Sequence, residues 1–150
     1  MAHLFLTFGL TLALAAVCVW VAAVDFREMR IPDGASLPLI GFGLLLSGIV
    51  TAVPLADRLI GAGAGFLTLW AIGEAYFRWR GAEALGIGDA KLFAGAGAWL
   101  GWSQLPTVLL TAAVMGLVFS ALRPAKPDQG LAFGPWLAAG FFISWLHLAF

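Results

Sequence analysis

Apolar residues run almost unbroken from 3 to 24, and five further apolar runs follow at 35–53, 57–78, 89–105, 107–122 and 132–149. Polar or proline-bearing stretches divide them, around Arg27 to Pro32, Pro54 to Asp57, Arg80 to Gly86, Ser103 to Pro106 and Arg123 to Asp128. The first run has no Lys or Arg before it. At about 22 residues it suits a spanning helix better than a cleavable signal peptide, which needs a basic start and a shorter core. The spacing therefore predicts six helices, with no low-complexity linker and no internal repeat between them. Gly61, Gly65, Gly97 and Gly101 fall at four-residue spacing, which lets helix backbones approach closely where lipid supplies no hydrophobic drive.

Composition turns six apolar helices into a membrane protein. Apolar residues make up 62% of the 150, charged residues 11%, and the mean hydropathy is +0.98. An ordinary soluble domain has about 45–50% apolar and about 25% charged residues. The expected fold is all-α, a polytopic transmembrane helix bundle forming one domain over 1–150. Eight basic residues balance eight acidic ones, so no basic surface is available for a nucleic-acid backbone. The single cysteine, Cys18, rules out an internal disulfide and a paired-cysteine zinc site, and its apolar surroundings make it a small buried hydrophobe.

Seven of the eight basic residues obey one topological pattern. Arg27 and Arg30 lie in the first loop, Arg78, Arg80 and Lys91 around the third, Arg123 and Lys126 in the fifth, and only Arg58 falls in the second. Short basic loops stay in the cytoplasm, so the odd loops are expected there. Trp20, Trp79, Trp102 and Trp136 lie near helix ends, as interfacial anchors do, whereas Trp70, Trp99 and Trp145 have no such obvious place. His3 and His147 belong to the opposite, external side, and Glu74 stands four residues before Arg78, a spacing suited to an ion pair within one helix.

Five of the eight carboxylates gather in or beside the first and third loops: Asp25, Glu28, Asp33, Glu83 and Asp89. Asp25 belongs to the last turn of the first helix, and Asp89 closes Gly86-Ile87-Gly88-Asp89 before the fourth apolar run. Two crossings separate them, so parity puts both on one side of the membrane whichever way the chain inserts. Residues alone leave alternatives open. Asp89 suits a helix N-cap, Asp25 an interfacial flank paired with Arg27 or Arg30, and the two glycines a tight turn. Two acids held against a low-dielectric bundle also suit a shared proton, as in water activation by paired aspartates.

These segments resemble the prepilin peptidases, type IV leader peptidases among the GxGD membrane aspartic proteases. Members carry an Asp at a helix end followed by Ile-Pro-Asp or Ile-Pro-Asn, and here Asp25 precedes Ile31-Pro32-Asp33. They carry Gly-x-Gly-Asp-x-Lys, matched by Gly86 to Lys91, and Phe-Gly-Pro near the end, matched by Phe133-Gly134-Pro135. The resemblance covers nearly the whole chain. It implies that Asp25 and Asp89 are catalytic, one as general base on a water and the other as proton donor, without metal, cofactor or nucleophilic Ser or Cys. Gly86, Gly88, Lys91, Glu28 and Asp33 are then expected to shape the site or meet substrate, although Lys91 on its own reads better as a topological charge or an ion-pair partner.

The implied substrates are prepilins or pseudopilins of pili and type II secretion, cut at the cytoplasmic face of the bacterial inner membrane. The implied partners are those substrates and the lipid bilayer. An acidic face would attract a basic leader, so neutralising Glu28 and Glu83 together is expected to raise KM. Bifunctional members add an N-terminal segment with paired cysteines that methylates the product. This sequence has only Cys18, which gives an expectation of proteolysis without methylation. A small transporter or a catalytically silent assembly factor are the competing readings; the acids cluster at one face instead of tracking through the bundle, which disfavours transport.

Overall fold

The computed structural model describes residues 1–81, 85–122 and 132–150. Among these there are six α-helices and no strand: α1 (Ala2–Glu28), α2 (Asp33–Val50), α3 (Leu55–Arg80), α4 (Ile87–Leu100), α5 (Leu105–Leu122) and α6 (Gly134–Ala149). Glu83 and the basic residues Arg123 and Lys126 lie outside the described residues, as does Asp128. The helices match the apolar runs, with ends that move for local reasons. At Gly101 a φ of 79° stops α4, and a 3-10 turn at Trp102–Gln104 leads into α5, so the fourth helix ends earlier than expected.

Four stretches, α1, α2, α3 and Trp102–Leu122, are long and apolar enough to cross a membrane. With 14 residues, α4 measures about 21 Å, short of a hydrocarbon core of about 30 Å. It is also buried on every side from Leu92 to Leu100. Six helices are present as expected, but α4 and α6 fall short of the length of a full crossing.

The layout follows from these lengths. α4 packs mainly against α2 and α3, α6 packs against α1 and α5, and α4 meets α6 in the middle. Large apolar side chains such as Phe5, Leu12, Val19, Leu45, Leu117 and Leu122 face outward, as lipid contact requires.

Between α3 and α4 the small-residue spacing does what lipid-phase packing asks of it. A Cβ at Gly65 would stand 2.7 Å from the Phe93 carbonyl oxygen, and one at Gly61 would stand 2.6 Å from that of Gly97. α2 closes on α4 in a related way, with Gly43 leaving room for the Trp99 ring, whose Nε1 donates to the Leu39 carbonyl at 2.8 Å. Trp99 meets Trp145 edge-on at 5.1 Å, and Trp145 Nε1 donates to Thr11 Oγ1 at 2.9 Å. Both tryptophans thus belong to the core with their polar atoms satisfied, which is what a buried indole requires.

Arg58 is not a loop charge. It sits in the first turn of α3, 7% exposed, and its Nη1 donates to the Leu44 carbonyl at 2.8 Å and to Ser47 Oγ at 3.3 Å. Gly48 leaves the space that the guanidinium fills. Arg58 therefore fastens α3 to α2, a role the apolar pattern did not signal.

Candidate active site

Asp25 projects from the last turn of α1, which ends when Met29 enters the left-handed region at φ 52° and donates its N–H to the Asp25 carbonyl at 2.9 Å. Its side chain is buried, 5% exposed, and Oδ2 accepts the backbone N–H of Gly134 at 3.1 Å. Gly134 is the first residue of α6, so this N–H is one of the orphan donors of a helix amino end, where partial positive charge favours a carboxylate. Pro135 follows at the second helical position, where its missing N–H costs nothing.

Asp89 stands at the third position of α4, not at its N-cap, which is Gly86. From there its Oδ2 reaches back to accept the Gly86 N–H at 3.0 Å, and its own N–H donates to the Gly86 carbonyl at 3.1 Å. The N-cap alternative is thereby corrected by three residues, because the helix already starts at Ile87 with Gly86 as its cap. Asp89 Oδ1 is buried and has no hydrogen-bond partner among the described residues. Asp89 lies outside the four potential spans. Burial pushes its carboxyl up to about 6; the nearby Asp25 charge acts in the same direction and the Gly86 N–H opposes it.

Each acid therefore has one oxygen tied to a glycine N–H, and both acids face a single open cleft of about 890 Å³. Glu28, Asp33, Gly86, Gly88 and Lys91 line the same cleft, so all seven residues singled out in the sequence meet there. Glu28 and Asp33 are exposed at its rim. Lys91 Nζ donates to Asp33 Oδ1 at 2.6 Å, the ion-pair role expected for it, and this joins the start of α2 to the start of α4. Glu74 and Arg78 form their own pair at 2.8 Å away from the cleft. Among the described residues there is no cluster of three or more His, Cys, Asp or Glu able to hold a metal ion.

Sequence reasoning missed two participants in this geometry. In the sequence Gly134 stands only as part of the Phe-Gly-Pro motif, with nothing to mark it as a donor to Asp25. Ile31, which lies against both Gly88 and Gly134, was read only as part of the Ile-Pro-Asp motif. The motifs themselves were the available signal, since a glycine next to a helix-starting proline already implies a close backbone approach.

An apolar helix bundle with two aspartates turned into one open cleft has the geometry of a membrane-embedded acid–base hydrolase. Comparison makes the assignment specific: residues 12–121 match the type IV leader peptidase family, and the chain belongs to that family. It is 45% identical over 138 residues to the prepilin leader peptidase/N-methyltransferase of Dickeya chrysanthemi, covering 87% of this chain and 49% of that protein. It is 43% identical over 133 residues to the protein of the same name from Pectobacterium carotovorum subsp. carotovorum, covering 86% and 48%. The Escherichia coli K12 protein of that name is 39% identical over 132 residues, covering 86% and 59%. The chain thus spans about half the length of the first two of these relatives. No solved structure matches it.

Proposed function

We propose that this protein is an aspartic endopeptidase that removes the basic leader of type IV prepilins or type II secretion pseudopilins. The observation that carries this reading is the convergence of Asp25, from α1, and Asp89, from α4, on one cleft in a chain of this family. The names of its relatives supply the substrate class.

In the proposed reaction, Asp25 is the carboxylate that takes a proton from water, its charge supported by the Gly134 N–H at the amino end of α6. Asp89 carries the shared proton and donates it to the scissile carbonyl oxygen; as the tetrahedral diol collapses, the departing amine takes the proton that Asp25 removed from water and a diol hydroxyl returns a proton to Asp89. The tie from Gly86 engages only Oδ2, which leaves the buried Oδ1 uncommitted among the described residues and available for this exchange. Two carboxylates this close in function titrate as a pair, and the singly protonated state is the active one.

The cleft opens between the ends of α1, α2, α4 and α6, so a substrate helix lying against the bundle would present its leader junction there. Glu28 and Asp33 at the rim suit a basic leader, and Arg27, Arg30, Arg78 and Arg80 at this same end support a cytoplasmic orientation of the cleft. A cytoplasm-facing cleft in a bacterial peptidase of this family suits the inner membrane.

The test is co-expression with a leader-bearing prepilin, scored by its mobility shift. Wild type should process it, while Asp25→Asn and Asp89→Asn should each leave it uncut yet insert normally. Full processing by either variant overturns the role given to that residue.

A further inference from the structure

Ile31, in the bend between α1 and α2, has no part in the chemistry above, yet it lies against both segments that hold the acids. A Cβ at Gly88 would stand 2.8 Å from Ile31 Cβ and 3.4 Å from the Ile31 backbone N and O. A Cβ at Gly134 would stand 2.9 Å from Ile31 Cδ1 and 2.7 Å from Asp25 Oδ2. Any side chain at either glycine would therefore have to displace Ile31. Gly88 immediately precedes Asp89, and Gly134 donates its N–H to Asp25, so a single side chain separates the backbone segments that place the two carboxylates. That side chain is half-buried on the cleft wall and packs against the hydrophobic core. Its β-branch restricts χ1, which makes it a spacer of nearly fixed width.

We propose that Ile31 is a positioning residue, the wedge between Gly88 and Gly134 that sets the separation of the Asp25 and Asp89 carboxylates. The proposal rests on the two-aspartate reading. Every variant keeps the Cβ and backbone that face Gly88, so the changes act on the Gly134 side. Valine loses only the Cδ1 that faces Gly134, alanine loses the whole side chain beyond Cβ, and leucine keeps the volume but moves the branch one carbon outward. A small misplacement of catalytic groups is enough to cost a factor on the order of 100 in rate. The reaction should therefore slow in the order Ile, Val, Ala while substrate binding holds. Trimming the wedge lets the two segments close in, which strengthens the repulsion that keeps the two ionisations apart, so the acid and alkaline limbs of the rate profile should move further apart. Glu28, Arg30, Asp33 and Lys91, the other charged groups lining the cleft, are untouched by these changes.

The experiment measures kcat, KM and the pH–rate profile of the full chain in detergent or vesicles for wild type, Ile31→Val, Ile31→Leu and Ile31→Ala. Asp25→Asn and Asp89→Asn are measured alongside. The expected result is a fall in kcat of about 100-fold for Ile31→Ala and a smaller fall for Ile31→Val, with KM unchanged and the two limbs further apart. A role in packing alone would lower the melting temperature and leave kcat per folded molecule and the limbs where they were, which overturns the proposal. Should Ile31→Ala fail to fold, wild-type kcat and limb spacing in both Ile31→Val and Ile31→Leu would do the same. Cleavage by either Asn variant would instead remove the two-aspartate reading itself, and the wedge with it.

Discussion

The backbone N–H of Gly134 donates to Asp25 Oδ2 at 3.1 Å, joining residues 109 apart in sequence. This bond fastens the end of α1 to the first turn of α6 and turns the Asp25 carboxyl toward the cleft. A methyl group at Gly134 would stand 2.7 Å from that same oxygen and 3.0 Å from Cγ. Gly134→Ala should therefore rotate Asp25 out of position, lowering kcat on the order of 100-fold with little change in KM. Steady-state cleavage of a leader peptide checks it, and a wild-type kcat would contradict the positional role of this glycine.

Asp89 gives a pH dependence with a definite sign. Its carboxyl is raised from 3.8 to about 6 in the folded protein, so between those values the folded chain holds a proton that the unfolded chain has lost. The stabilisation is complete below the ordinary carboxylate value and disappears as pH rises through about 6. Melting temperatures of the detergent-solubilised protein should fall across that window, and Asp89→Asn should flatten the slope. The activity profile follows the same group. Its alkaline limb should lie at or above about 6, and a limb below the ordinary carboxylate range would contradict the assignment of the proton to Asp89.

Close packing of α3 on α4 predicts a contrast between glycines. Gly97→Ala would drive a Cβ into the Gly61 carbonyl group, backbone against backbone, whereas a Cβ at Gly63 meets nothing within 4 Å. Overpacking of this kind costs about 1–3 kcal/mol or more. Thermal unfolding in detergent should show a clear loss for Gly97→Ala and almost none for Gly63→Ala. Equal melting temperatures would mean that the two helices are not in this contact.

The Lys91–Asp33 pair should matter little for stability despite its 2.6 Å separation, because Asp33 is well exposed. Exposed pairs contribute about 0–1 kcal/mol. Lys91→Met should therefore lower stability by less than about 1 kcal/mol, and the effect of Asp33→Asn should be no larger than that of Lys91→Met. A double-mutant cycle of unfolding free energies measures the coupling directly, and a coupling of several kcal/mol would show that the rim is less solvated than its exposure indicates.

Much of this architecture was legible one residue at a time. The apolar runs located all six helices, and parity put Asp25 and Asp89 at one end without any knowledge of packing. The Glu74–Arg78 pair followed from spacing alone. Boundaries slipped where a local event outran hydropathy: Gly101 stops α4 through a left-handed φ, and α4 starts at Ile87, which moves Asp89 from cap to third position. Arg58 could not be read at all. A lone basic residue beside a short loop looks like a topological charge until α2 supplies carbonyls for it.

Hydropathy acts along the chain, so the sequence by itself determined the six helices found among the described residues, their apolar character, and that Asp25 and Asp89 share one end of the bundle. Family motifs added which acids to watch. Tertiary structure alone decided that Gly134 holds Asp25, that Gly86 holds Asp89, and that Ile31 stands between Gly88 and Gly134. Those relationships depend on lateral approach between helices far apart in sequence, where a missing Cβ changes the fit by an ångström or more and leaves no trace in periodicity.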